Sequence, residues 1–238
     1  MQVDLLVFGA HPDDIELCAA GTILSHQDMG YTSGIVDLTA GELGTRGSAP
    51  LRLQEAQAAA EILGVRFRNN LGFADGFFDS SRANIEKLVA EIRRAKPKII
   101  LANAPSDRHP DHGRAAKLVA DAVFYSGLRK IEILENGVLL EPWRPQTLFH
   151  YIQDYHHEPD FVVDITGYMD RKEQAILAFR SQFFNPSSEE PATPISSSDF
   201  LEFLKGRARD YGRTAGFQFA EGYVRSQRFG IKDLGQLY

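Results

Sequence analysis

Two short segments carry the side chains best suited to chemistry, His11-Pro12-Asp13-Asp14 and His109-Pro110-Asp111-His112. Two histidines and one carboxylate around an open position form a recurring catalytic zinc sphere, in which the open position holds the reacting water. His11, one of Asp13 or Asp14, and one of His109 or His112 could supply it. Adjacent residues in a turn project differently, so the other member of each pair stays available for proton transfer. A single His-Pro-Asp is as well explained by a cap or a satisfied surface side chain. Its recurrence about 100 residues later favours a metal site. His26, His150, His156 and His157 lack a matching carboxylate turn and read as surface or packing residues.

The elements around these segments explain how they could meet. Leu5 to Phe8 is an apolar run that stops at Gly9, and the segment from Ile15 to about Met29 reads as a helix. Thr32–Thr39 is a β-branched second strand, Leu51–Leu63 a helix closed by Gly64, and Val65–Leu71 a third strand. A helix capped by Ser81 carries Ile85, Leu88, Val89 and Ile92 on one stripe before Pro97. Lys98–Ala102 is a fourth strand that runs into the second His-Pro-Asp, followed by a helix from Gly113 to Tyr125. Strand, turn and helix thus occur twice. In the doubly wound order 3-2-1-4, strands one and four are neighbours at the switch point, where open α/β sheets hold ligands. The first turn contains Asp13 and Asp14, which repel a phosphate unless a cation intervenes, so it reads as a metal site and not a dinucleotide cradle.

Beyond Gly127, Ile131–Leu134, Thr147–Ile152 and Phe161–Ile165 read as short strands extending the sheet. Helices follow over Tyr168–Phe183 and Asp199–Thr214, separated by a Ser- and Pro-rich loop or lid at Asn185–Ser198, and Phe217–Tyr223 closes the pattern. The fold class expected is α/β, Rossmann-like, with a mostly parallel sheet, helices on both faces and a few antiparallel additions in the C-terminal part. The 238 residues, 43% apolar and 24% charged, fit one domain over 1–238. A net charge of -6 supplies no basic field for nucleic acid or anionic lipid. No apolar run approaches the roughly 20 residues that span a bilayer, and no basic leader precedes Val3. A cytoplasmic protein with neither nucleic-acid nor membrane partners is expected. The single Cys18 fits a reducing compartment and reads as a small buried apolar residue.

The segments Ala10-His11-Pro12-Asp13-Asp14 and His109-Pro110-Asp111-His112 resemble the signature of the LmbE-like, or PIG-L, family of zinc-dependent N-acetylglucosamine deacetylases. The resemblance extends through Thr39–Gly47, Phe73-Ala74-Asp75-Gly76, Ser181-Gln182-Phe183 and Ala220-Glu221-Gly222-Tyr223, and it is strongest to the bacillithiol-biosynthesis branch. It implies one Zn²⁺ per chain bound by His11, Asp14 and His112, with Asp13 as general base. It also implies a protonated His109 that stabilises the oxyanion, with Asp111 as its orienting partner. Arg52 corresponds to a sugar-binding arginine, and Arg108 lies beside the site. Glu42 and Arg46 are candidates for the same shell, weighed against a mutual loop-stabilising ion pair. Asp75 and Asp107 belong to its outer part, Asp107 as a possible loop cap. The implied substrate is an N-acetylglucosaminyl conjugate, foremost N-acetylglucosaminyl malate, whose carboxylates suit an arginine fork. A homo-oligomer is implied as well, the hexamer being an assembly such members often form. The rival readings are a phosphoester metallohydrolase and a non-catalytic metal- or sugar-binding protein.

Overall fold

The computed structural model describes residues 2–183, 188–228, 230 and 233. Its centre is β1 (Leu5–Gly9), all five residues of which are buried. Burial on both faces explains why this strand is a continuous apolar run and not an alternating one. The other parallel strands are β2 (Ser33–Thr39), β3 (Arg68–Phe73), β4 (Ile99–Ala102) and, after a two-stranded hairpin of β5 (Leu134–Glu135) and β6 (Val138–Leu139), β7 (Thr147–Tyr151). With β8 (Phe161–Asp164) and β9 (Ala220–Arg225) they form a seven-stranded sheet in the order β3-β2-β1-β4-β7-β9-β8. β9 runs antiparallel to both of its neighbours.

Helices cover both faces. α1 (Asp14–Cys18), α2 (Ala20–Asp28), α3 (Ala49–Leu63) and α6 (Met169–Leu177) contribute Ile15, Ile23, Leu63 and Ala175 to one core around Leu5 and Val7. α4 (Arg82–Ala95) and α5 (Pro110–Ser126) contribute Leu88, Ile92, Leu118 and Val119 to the other, around Leu6 and Phe8. α7 (Phe200–Ala215) packs Leu204 against Phe179 and Phe183. No helix among the described residues is long and apolar enough to cross a membrane.

Three expected elements are redrawn by tertiary contacts. The first helix breaks at Ala19, whose φ is -137°. There the Glu221 carboxylate on β9 accepts the Gly21 and Thr22 amides at 2.9 and 2.8 Å, capping a fresh helix start. The segment expected to extend the sheet at Ile131–Leu134 instead enters the separate β5–β6 hairpin. Its turn is Asn136-Gly137, both residues at positive φ, the geometry of a two-residue hairpin turn. The helix expected over Tyr168–Phe183 stops at Leu177, beyond which the Ser181 and Gln182 side chains bond Glu55 and the Arg46 carbonyl. Of the expected loop Asn185–Ser198, residues 185–187 lie outside the described residues; the remainder is irregular.

Two buried ion networks hold the α1 side of the sheet. Arg68 on β3 grips Asp37 through Nε and Nη2 at 2.7 and 2.9 Å and reaches Glu16 of α1 at 2.5 Å. Lys172 of α6 meets the same Glu221 that caps α2, at 2.6 Å. Breaking a buried pair from one side strands the other charge, at a cost of about 3–5 kcal/mol. Glu221→Ala should therefore lower unfolding free energy by about that amount in urea titration. A loss near zero would show that Lys172 and the α2 amides find other partners.

Candidate metal centre and catalytic site

The two His-Pro-Asp turns leave the carboxyl ends of adjacent parallel strands, with Val7 of β1 beside Leu101 of β4. In the first, Asp13 adopts φ +114°, a strained value for a residue with a side chain. The His11 amide donates to Asp14 Oδ2 at 3.0 Å, closing the turn. In the second, His109 caps α5 by accepting the Asp111 amide on Nδ1, and Pro110 opens the helix.

Three imidazoles converge here, with ring centroids 4.6 Å apart for His11 and His109, 5.2 Å for His109 and His112, and 5.6 Å for His11 and His112. Asp14 stands between two of them, Oδ2 at 3.7 Å from His11 Nδ1 and Oδ1 at 3.1 Å from His112 Nε2. His112 Nδ1 faces Asp107 at 2.5 Å; because a carboxylate only accepts, Nδ1 carries the proton and Nε2 faces Asp14. Asp107 is thus more than a loop cap. His11 Nε2 lies 3.0 Å from Asp75 and 3.3 Å from Asp111. Among the described residues, donor atoms that all lie near enough to one another to share an ion occur in two sets, His11, His109, His112 and His11, Asp75, Asp111; Asp14 is in neither and approaches His11 and His112 pairwise. The second set is disfavoured for a cation because Arg114 already pairs with Asp111. Buried imidazoles opposite carboxylates are a donor set suited to zinc.

Burial opposes charge on every group. On His11 it is outweighed by hydrogen bonds that the ring donates to Asp111 and Asp75 and by the charge of Asp14, which raise the pKa to about 10. On His112, Asp14 and Asp107 do the same, to about 9. The two histidines in turn hold Asp14 well below the carboxylate range, against its burial. Asp13 is raised, chiefly by burial and then by the neighbouring Asp14 charge, while Arg52 pulls the other way. His109 is lowered by burial and by the charges of His11 and His112.

The expected Asp111–His109 pairing through the carboxylate is not the arrangement found. The Asp111 side chain serves His11, the Gly76 amide and Arg114, and only its backbone N–H reaches His109. With its Nδ1 lone pair taken by the Asp111 amide, His109 carries its ring proton on Nε2, and burial with the charges of His11 and His112 lowers its pKa. Arg52 is likewise committed, Nη2 donating to Asp13 at 2.8 Å and to the Pro12 carbonyl at 2.7 Å. Its Nη1 lies over Gly41, whose positive φ and missing side chain permit the approach.

A cavity of about 290 Å³ opens onto these groups, bordered also by Leu43, Arg108, Gln153, Phe203 and Arg207. Arg108 is at its wall, paired with Asp154 at 2.6 Å. Glu42 and Arg46 do not border it, nor do they pair with each other. Glu42 accepts the Asp75 amide, and buried Arg46 lies 3.6 Å from Glu190. Asn103, Gln153 and Arg207 were not singled out by sequence. They follow strands or sit on a helix without any motif, and only the fold brings them here. His150 is buried, bonded to the Asn103 carbonyl and to Ser226.

Both raised histidines bind protons more tightly folded than unfolded, where the value is 6.5. The stabilisation they contribute is complete below pH 6.5 and is lost as pH climbs through 9 to 10. The metal-free protein should show a melting temperature that falls over this window. Zinc, which replaces those protons, should flatten the slope. A slope identical with and without zinc would separate the ion from these rings.

The profile described as PIG-L: GlcNAc-PI de-N-acetylase matches residues 6–123, which include both turns. Diacetylchitobiose deacetylase of Thermococcus kodakarensis is 32% identical over 229 residues, covering 92% of this chain and 81% of that protein. A probable N-acetyl-alpha-D-glucosaminyl L-malate deacetylase 2 of Bacillus anthracis is 28% identical, with 78% and 83% covered. A 4-oxalmesaconate hydratase of Pseudomonas putida is 29% identical, with 76% and 74% covered. Among solved structures, a conserved protein of Thermus thermophilus superposes with a TM-score of 0.85 at 36% identity, covering 97% of this chain and 98% of its own. This similarity places the chain in the PIG-L/LmbE-like family, whose matching members include N-deacetylases, enzymes that hydrolyse an amide C–N bond.

Proposed function

We propose that the protein removes the acetyl group from an N-acetylglucosaminyl conjugate, with zinc held by His11, Asp14 and His112. The observation that carries this reading is the division of labour in the first turn. Both aspartates border the cavity, but Asp14 lies between two imidazoles whereas Asp13 pairs with Arg52. When bound, zinc supplies Lewis acidity, polarising the acetamide carbonyl and making water a better nucleophile at neutral pH.

The chain's own groups do the rest. Asp13, kept basic by burial and aimed by Arg52, takes a proton as water adds to the carbonyl carbon. His109 offers Nε2–H to the oxyanion as a neutral donor, not as the imidazolium expected from the resemblance. Such a donor is commonly worth about 10²–10³ in rate. The proton on Asp13 then passes to the nitrogen as the C–N bond breaks, yielding acetate and a free amine.

For the aglycone, the malate reading draws on the bacillithiol-branch resemblance and on Arg108. That arginine is 46% exposed, and its surface pair with Asp154 is of a kind worth only about 0–1 kcal/mol, which a substrate carboxylate could displace. A second reading, a second sugar, is favoured by the half-exposed Phe203 at the cavity wall, a face for a sugar ring.

The metal-loaded protein should release amine from N-acetylglucosaminyl malate or N,N'-diacetylchitobiose. Asp13→Asn should retain zinc and lose about 10²–10⁴ in turnover, whereas His11→Ala should lose zinc. Arg108→Ala should raise KM for the malate conjugate alone and Phe203→Ala for the disaccharide alone. Absence of amine from any acetamide would overturn the deacetylase reading, and zinc-free Asp13→Asn the roles within the turn.

A further inference from the structure

Asp14 is surrounded more completely than ligation requires. An ionised carboxylate offers about four acceptor directions. On Oδ2, one is taken by the His11 amide at 3.0 Å and a second by Asn103 Nδ2 at 2.9 Å. On Oδ1, a third is taken by Gln153 Nε2 at 3.1 Å. The fourth faces His112 Nε2.

The orientation of both amides follows from chemistry. Gln153 Oε1 accepts the Ala104 backbone N–H at 3.1 Å, so the other end of that amide, Nε2, faces Asp14. Asn103 Nδ2 lies between two acceptors, Asp14 Oδ2 and Gln153 Oε1, where a flipped amide would set oxygen against oxygen. The Asn103 backbone is anchored in turn. Its carbonyl accepts from His150 Nδ1 at 2.7 Å, which fixes that ring's proton, and His150 Nε2 meets Ser226 at 2.8 Å. Asn103 is fully buried and Gln153 nearly so, which strengthens these bonds.

We infer that Asn103 and Gln153 are positioning residues that restrict Asp14 to offering a cation one oxygen, Oδ1, by occupying its other acceptor directions. The inference rests on the metal reading above but not on the identity of the substrate. Its chemical content is coordination number. With both lone pairs of Oδ2 engaged, Asp14 would hold a cation through Oδ1 alone, which would leave room for the reacting groups.

The test uses the full chain loaded with zinc or with cobalt(II), whose visible absorption weakens as coordination number rises. Asn103→Ala frees Oδ2 and should reduce the cobalt band intensity. Gln153→Met, of similar volume, should weaken zinc binding by about 10- to 100-fold in chelator competition. Gln153→Glu retains shape but replaces the donor to Asp14 Oδ1 with an oxygen beside His112 Nε2, and should alter the cobalt spectrum. Should either Gln153 variant fail to fold, the Asn103→Ala spectrum decides. Wild-type zinc affinity and cobalt spectra in the variants, with only a lowered melting temperature, would reduce the pair to a structural role and overturn the inference. Wild-type protein that binds zinc but releases no amine would remove the deacetylase reading and leave these measurements intact.

Discussion

Parallel pairing of β1 with β4 is the constraint on which the site depends. The two His-Pro-Asp turns are far apart in the chain, and neither contains enough ligands by itself. Register places Val7 beside Leu101, so both strands end at the same level and discharge their turns into one crevice. The apolar faces of β1 secure that register, since a slip of one residue would exchange Leu5 and Val7 for Leu6 and Phe8 between two different cores. Chemistry in the crevice is thus held in place by packing several residues below it.

The crevice is rich in buried acid. Asp13, Asp14, Asp75 and Asp111 are buried together with His11 and His112. Such a cluster is tolerable only with compensating positive charge. In the metal-free chain the protons on His11 and His112 supply it, and a divalent cation would supply it better. Arg52 and Arg114 neutralise the edges. The commitment of Arg52 to Asp13 explains why an arginine that looks available in the sequence is not a free fork for a substrate.

Strain and support coincide at Asp13. A residue at φ +114° persists only where its surroundings over-determine it, and Arg52 does so by holding both the Pro12 carbonyl and the Asp13 carboxylate. The backbone conformation turns Asp13 away from its neighbour Asp14. Two adjacent carboxylates, chemically identical in the sequence, thereby acquire opposite shifts, one raised and one lowered.

Much of this was legible in the sequence. Hydrophobic runs ending in polar turns marked β1 and β4, the 3-2-1-4 order made them neighbours, and the repeated His-Pro-Asp pointed to a cation. The break at Ala19 was not legible, because it depends on a carboxylate about 200 residues away. The stop at Leu177 was hidden for the same reason, as its cause is a set of bonds to Glu55 and Arg46. Asn103 and Gln153 carry no motif; an amide becomes a clamp only when a strand end sets it against a particular oxygen. By itself the sequence determined the residue types and the strand ends that present them, since these follow from local periodicity and turn chemistry. Only the tertiary structure decided which carboxylate faces which imidazole, because that depends on angles and distances between segments that never meet along the chain.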